Sequence, residues 1–178
     1  TDNTAVGYNA LTAAAGAYYS VGVGTYAGKA VTTAVGSTFV GYKSGELTTT
    51  GNYNTSVGAN SFQDNTTGTE NVAIGYGAMW ENTTGGANTA VGYGVLDQNT
   101  TGSYNTALGR FALGANTTAN NNVGIGYAAL AANTTGTQNI AVGFGSLDAI
   151  TTASYNVGVG HNVLTSNTSG EENVAIGN

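Results

Sequence analysis

The chain has 178 residues, of which 29 are glycine and none is proline or cysteine. Nine acidic residues against three cations, Lys29, Lys43 and Arg110, give a net charge of −6. That balance argues against a nucleic-acid partner, which needs clustered Lys and Arg. Missing cysteines rule out disulfides, and no apolar run of about 18 residues is present to span a membrane.

Glycine at this level without a period would suggest disorder. Here the period is strict. Gly7, Gly24, Gly41, Gly58, Gly75, Gly92, Gly109, Gly126, Gly143, Gly160 and Gly177 follow one another at steps of 17 residues. We number the unit from the asparagine that opens its best copy, Asn88–Tyr104, so that Gly92 is position 5. Position 2 is always β-branched, and position 4 is always Val, Ile or Leu. Position 3 is small in every copy but one, where it is Phe39, and position 9 is a large apolar residue in most copies.

β-Branched residues at alternating positions predict a strand over positions 1 to 4. Glycine at position 5 predicts a bend. A second short strand fits positions 6 to 9, and Asn-Thr-Thr-Gly at positions 12 to 15 reads as the return turn. Each copy then closes one coil, and stacked coils pair each strand with its own copy. The expected fold is all-β: a parallel β-solenoid or β-roll of about ten 17-residue coils, forming one repeat domain over residues 1–178. The absence of proline suits strands whose amides must all donate.

The first copy has a degenerate return turn, Ala13-Ala14-Ala15-Gly16. The next two diverge most, with Gly28 and Gly45 at position 9. Leu47, two residues on, is expected to replace the missing core residue on the same strand face. From Asn54 to Gln138 the array is regular. Asn65, Asn82, Asn99, Asn116 and Asn133 hold position 12, as does Asn167 in the last full copy, and they form a candidate side-chain ladder. Asn at position 1 forms a second. The chain begins and ends within a repeat, at positions 16 and 6, so it is expected to be a mature segment or a piece of a longer array.

Neither face of the first strand carries charge. We expect positions 2, 4 and 9 to fill the interior and the small face at positions 3 and 5 to pack against another chain; the reverse assignment is the alternative. Under either, Ile74→Asp or Val91→Asp is expected to prevent folding. So thin a coil gains from sharing a core with further copies, and a trimer is the preferred state.

NTAVG at Asn3–Gly7 and Asn88–Gly92, and NVAIG at Asn71–Gly75 and Asn173–Gly177, resemble the head repeats of trimeric autotransporter adhesins. The resemblance covers essentially the whole chain, although the unit here is longer than the adhesin repeat. It implies a left-handed parallel β-roll that forms trimers on bacterial surfaces. Similar repeats occur in phage tail fibres.

Chemistry is hard to place on such a chain. A catalytic site needs several unlike groups in fixed geometry, and one histidine, His161, builds no Ser-His-Asp set. Acidic residues scatter over positions 10, 11, 16 and 17, so no metal ladder is expected. No cofactor and no catalytic residue is expected. The fragments GVG and GIG at 22–24 and 124–126 are repeat glycines without the context of a nucleotide site.

The best candidate for recognition is the aromatic row at position 6: Tyr8, Tyr42, Tyr76, Tyr93, Tyr127 and Phe144. Tyr19, Tyr53, Tyr104 and Tyr155 form a second row at position 17. Exposed rings stack on sugar faces; alternatively they lock neighbouring coils together. Tyr93→Ala separates the two, since only the second role costs thermal stability. Arg110, in the same row, is expected to stack on Tyr93 and Tyr127.

Threonine rows at positions 13 and 14 raise ice binding, although adjacent residues of a strand point to opposite faces. Asn54, Asn65, Asn82, Asn99, Asn116, Asn133 and Asn167 each begin a glycosylation sequon, which turn chemistry alone also explains. The expected function is a non-enzymatic extracellular or cell-surface fibre or adhesin segment. Its partners would be further copies of itself and a host-surface glycan or protein, met by multivalent contacts. Alternatives are a filament subunit stacking end to end, an ice-binding solenoid and a phage tail-fibre segment on a virion.

Overall fold

The computed structural model describes residues 2–178. Eleven strands of three residues each follow in order: β1 (Thr4–Val6), β2 (Val21–Val23), β3 (Thr38–Val40), β4 (Thr55–Val57), β5 (Val72–Ile74), β6 (Thr89–Val91), β7 (Thr106–Leu108), β8 (Val123–Ile125), β9 (Ile140–Val142), β10 (Val157–Val159) and β11 (Val174–Ile176). They form one sheet in sequence order, β1 to β11. Every pairing is parallel and in register, as in Thr89↔Thr106 and Val91↔Leu108. With strands about 4.8 Å apart, ten steps make a rod on the order of 50 Å long. The chain is a parallel β-solenoid of 17-residue coils, with no helix among the described residues.

The second strand expected at positions 6 to 9 is absent. That stretch is a chain of turns in which residues at positions 7 and 9 have positive φ. Leu96, Leu113 and Leu130 sit at φ 49°, 51° and 54°. Left-handed backbone costs a side-chain-bearing residue roughly 1–2 kcal/mol. Burial of a leucine offsets it by about 1.5–3 kcal/mol. Each such turn is also bonded to the next coil: the Leu96 amide donates to the Ala112 carbonyl at 3.0–3.1 Å, and Leu113 to Ala129 likewise.

The two faces of the sheet are also reversed from the expectation. Position 3 points inward: Ala73, Ala90, Ala107 and Ala141 are fully buried, while the β-branched residues at positions 2 and 4 are half-buried or exposed on the outer face. The reason is room. Leu96 and its equivalents at position 9 enter the coil from the turn side, joined by small residues at position 8 such as Ala78, Val95 and Ala112. The space left facing the strand takes only a methyl or nothing. Gly22 shows the limit, since a Cβ there would lie 2.8 Å from the Leu11 side chain.

Phe39, the exception at position 3, follows from the same constraint. It is fully buried and fills the volume left by the glycines at position 9. A Cβ on Gly28 would sit 2.8 Å from its ring, and one on Gly45 would overlap it. Leu47 therefore does not replace the missing core residue; it lies 44% exposed on the surface.

Position 5 requires glycine for a separate reason. Gly92 has φ +143°, and a Cβ there would meet the Gly109 carbonyl oxygen of the next coil at 2.8 Å. The bend brings successive backbones too close for any side chain.

Candidate functional site

Tyr8, Tyr42, Tyr76, Tyr93, Tyr127 and Phe144 all stand exposed along one edge of the rod. Tyr76 stacks on Tyr93 with ring centres 5.4 Å apart and planes at 15°, and Tyr127 stacks on Phe144 at 5.0 Å and 13°. His161 continues the stack on Phe144 at 5.1 Å. Parallel in-register coils dictate this, because equivalent side chains recur at the strand spacing.

The row has gaps at Thr25, Ala59 and Arg110, and two of them are bridged by rings that sequence reasoning missed. Tyr26, at position 7, lies between Tyr8 and Tyr42 at 5.5 and 6.5 Å. Phe111, also at position 7, lies between Tyr93 and Tyr127 at 5.6 and 6.5 Å. The outcome is one aromatic strip from Tyr76 to His161 and a shorter one from Tyr8 to Tyr42. The signal was present in the sequence: an aromatic at position 7 occurs only where position 6 has lost its own.

Arg110 stacks over Phe111 at 4.5 Å and Tyr93 at 5.4 Å, so Phe111 takes the place expected of Tyr127. Lys29 and Lys43 both pair with Glu46, at 3.7 and 3.3 Å, and lie over Tyr26 and Tyr42. The hydrogen bond and charge of Glu46 hold the Lys43 ammonium above its ordinary pKa.

The asparagine ladder at position 12 runs unbroken from Asn65 to Asn133. Each Nδ2 donates to the Oδ1 of the preceding copy, as in Asn99 to Asn82 at 2.7 Å and Asn116 to Asn99 at 2.7 Å. Ile150 ends it, leaving the Asn133 Oδ1 buried without a partner. Asn167 is not a rung: its side chain bonds only Gly170 of its own coil. A parallel ladder runs through position 1, from Asn54 through Asn71 and Asn88 to Asn105, and again from Asn139 through Asn156 to Asn173.

These bonds bear on the sequons. The amides of Asn54, Asn65, Asn82, Asn99, Asn116 and Asn133 are fully buried, so a folded coil does not present them to a transferase. The threonines divide by position. At position 13 hydroxyls donate to the next coil, as Thr83 does to the Thr100 carbonyl at 2.9 Å, while at position 14 Thr67, Thr84 and Thr101 point outward. Ice would meet a single file of hydroxyls rather than a two-dimensional array.

Among the described residues no group of three or more His, Asp or Glu is placed to hold a metal ion, and no helix is long and apolar enough to cross a membrane. Comparison with protein-family models, curated proteins and solved structures finds no match. The fold and surface together define the class, a parallel β-solenoid repeat protein.

Proposed function

We propose that this chain is a non-enzymatic segment of an extracellular or virion fibre, in the manner of the adhesin heads its NTAVG and NVAIG motifs resemble. Three copies pack side by side and form a stiff rod. The aromatic edge supplies many weak contacts to a host-surface glycan or protein, which add by multivalency.

One observation carries this reading. On the outer face of the sheet position 4 is Val, Ile or Leu in every strand, one continuous in-register row in which the interior residues Ile74 and Leu108 are 38% and 47% exposed. Scattered apolar side chains on a surface are ordinary, but a strip running the length of the molecule marks an interaction site. The strip is straight, repeats with the coil and carries no charge, so its natural complement is the same strip on another copy.

Light scattering on a sizing column over a concentration series tests it. A constant mass of three chains is expected. A single chain at all concentrations overturns the packing, and a mass growing with concentration replaces it with end-to-end assembly.

A further inference from the structure

The aromatic strip opens into a cleft beside Trp80. Between the coils of β5 and β7 lies a cleft of about 160 Å³ walled by Tyr76, Trp80, Tyr93 and Phe111, with Asp97 at its edge. Local departures from the repeat create it. Position 7 carries glycine in two successive coils only here, at Gly77 and Gly94; Gly145 stands alone, and the other coils carry side chains such as Lys43, Asn60 or Ala128. A Cβ on Gly94 would lie 2.9 Å from the Phe111 ring. Trp80, the only tryptophan, stands at position 10 directly before Asp97 in the same row. In the following coil that row holds Gly114, where a Cβ would be 3.4 Å from the Asp97 Oδ1. Gly114 thus puts no side chain against the carboxylate.

We propose that this cleft binds a single pyranose ring of a glycan, its C–H face on the aromatic walls and its hydroxyls donating to the Asp97 carboxylate. A sugar ring has an apolar face and a polar rim, and the cleft offers the complement of each. Drug-sized pockets start at about 300 Å³, so this one takes one ring rather than several. A cationic ligand fits less well, because Arg110 already lies over Phe111 and Tyr93. A wholly apolar ligand would strip water from the carboxylate without replacing its hydrogen bonds. Burial already pushes the Asp97 carboxyl above the usual range, against the backbone hydrogen bonds that lower it. A hydroxyl donor relieves that loss of solvation.

The inference rests on the reading of the aromatic edge as a contact surface, and it is independent of how many chains associate. Trp80 makes the whole protein its own reporter. Titration with methyl glucoside, galactoside, mannoside and N-acetylglucosaminide, followed by tryptophan fluorescence and by saturation-transfer NMR of the sugar, should give saturable binding of at least one. Asp97→Ala should weaken it tenfold or more. Gly77→Asn should do the same by filling the floor, and position 7 accepts Asn at Asn9, Asn60 and Asn162 with φ of 54°, 55° and 52°. Tyr8→Ala, in the separate short strip, should leave binding unchanged. Saturation by tetramethylammonium in place of the sugars, or no binding by either method, overturns the proposal. Sugar binding that both cleft variants retain but Tyr8→Ala loses overturns the cleft while keeping the aromatic edge as a contact surface.

Discussion

The side-chain amides of Asn71 and Asn82 donate to one oxygen, the Gly85 carbonyl, at 2.9 and 3.1 Å. Asn88 and Asn99 do the same at Gly102, at 2.9 and 3.0 Å. Position 15 is thereby held from both sides by the two ladders, which close the coil where it has no strand. Buried amides are costly unless bonded, and here each is bonded along and across the axis.

Rungs of the ladder are therefore unequal. Asn99→Leu strands the Asn82 Oδ1 and removes one of the two acceptors of the Asn116 Nδ2. It should cost about 2–4 kcal/mol. Asn133→Leu removes an oxygen that already has no partner, and should cost about 1–2 kcal/mol less. Denaturant midpoints of the two variants give the comparison, and equal losses would contradict it.

Phe39 and Gly45 should behave as one unit. Phe39→Ala opens a cavity and should cost about 3–5 kcal/mol. Gly45→Leu alone overlaps the ring and should also destabilise. Together they restore the arrangement of Leu96 and Ala90 found in β6's coil, so the double variant should be more stable than either single one. A thermal-melting double-mutant cycle reads the coupling.

Gly92→Ala should cost more than about 3 kcal/mol, because its Cβ meets backbone of the next coil at 2.8 Å and backbone cannot rotate away. Circular dichroism and melting should show local or global loss of structure.

Ile74→Asp tests the outer face. Ile74 is exposed in the single chain, so a carboxylate there keeps its water and the coil should fold. If copies pack through this face the same charge is buried, and the variant should run as a folded single chain. Scattering mass with circular dichroism separates these; an unfolded variant would contradict the exposed assignment.

Two carboxyls should favour the folded state as pH falls. Burial raises the carboxyls of Asp64 and Asp97 above the ordinary value, so the folded state binds their protons more tightly than the unfolded chain. As pH falls through their raised folded pKa values towards the ordinary 3.8, these two groups add stability; as pH rises through that window they remove it. Asp97→Asn should flatten this slope in melting curves taken across the acid range.

The strict recurrence of glycine every 17 residues was enough by itself to determine coil length, strand position and parallel in-register pairing, because only stacked copies satisfy a rigid period. It also exposed both asparagine rows and the aromatic row at position 6. It did not determine which strand face is inside. Alternation of period two is symmetric between faces, and the choice depends on the Leu96 row entering from a turn that looked like a strand. In the sequence that turn has the pattern of a strand, because leucine and phenylalanine rarely take left-handed backbone, and only burial and the next coil's carbonyls make it favourable here. The pairing of Phe39 with Gly28 of the preceding coil and the cleft beside Trp80 belong to the tertiary structure alone. Each joins residues from different coils, whose proximity is set by stacking and not by separation along the chain.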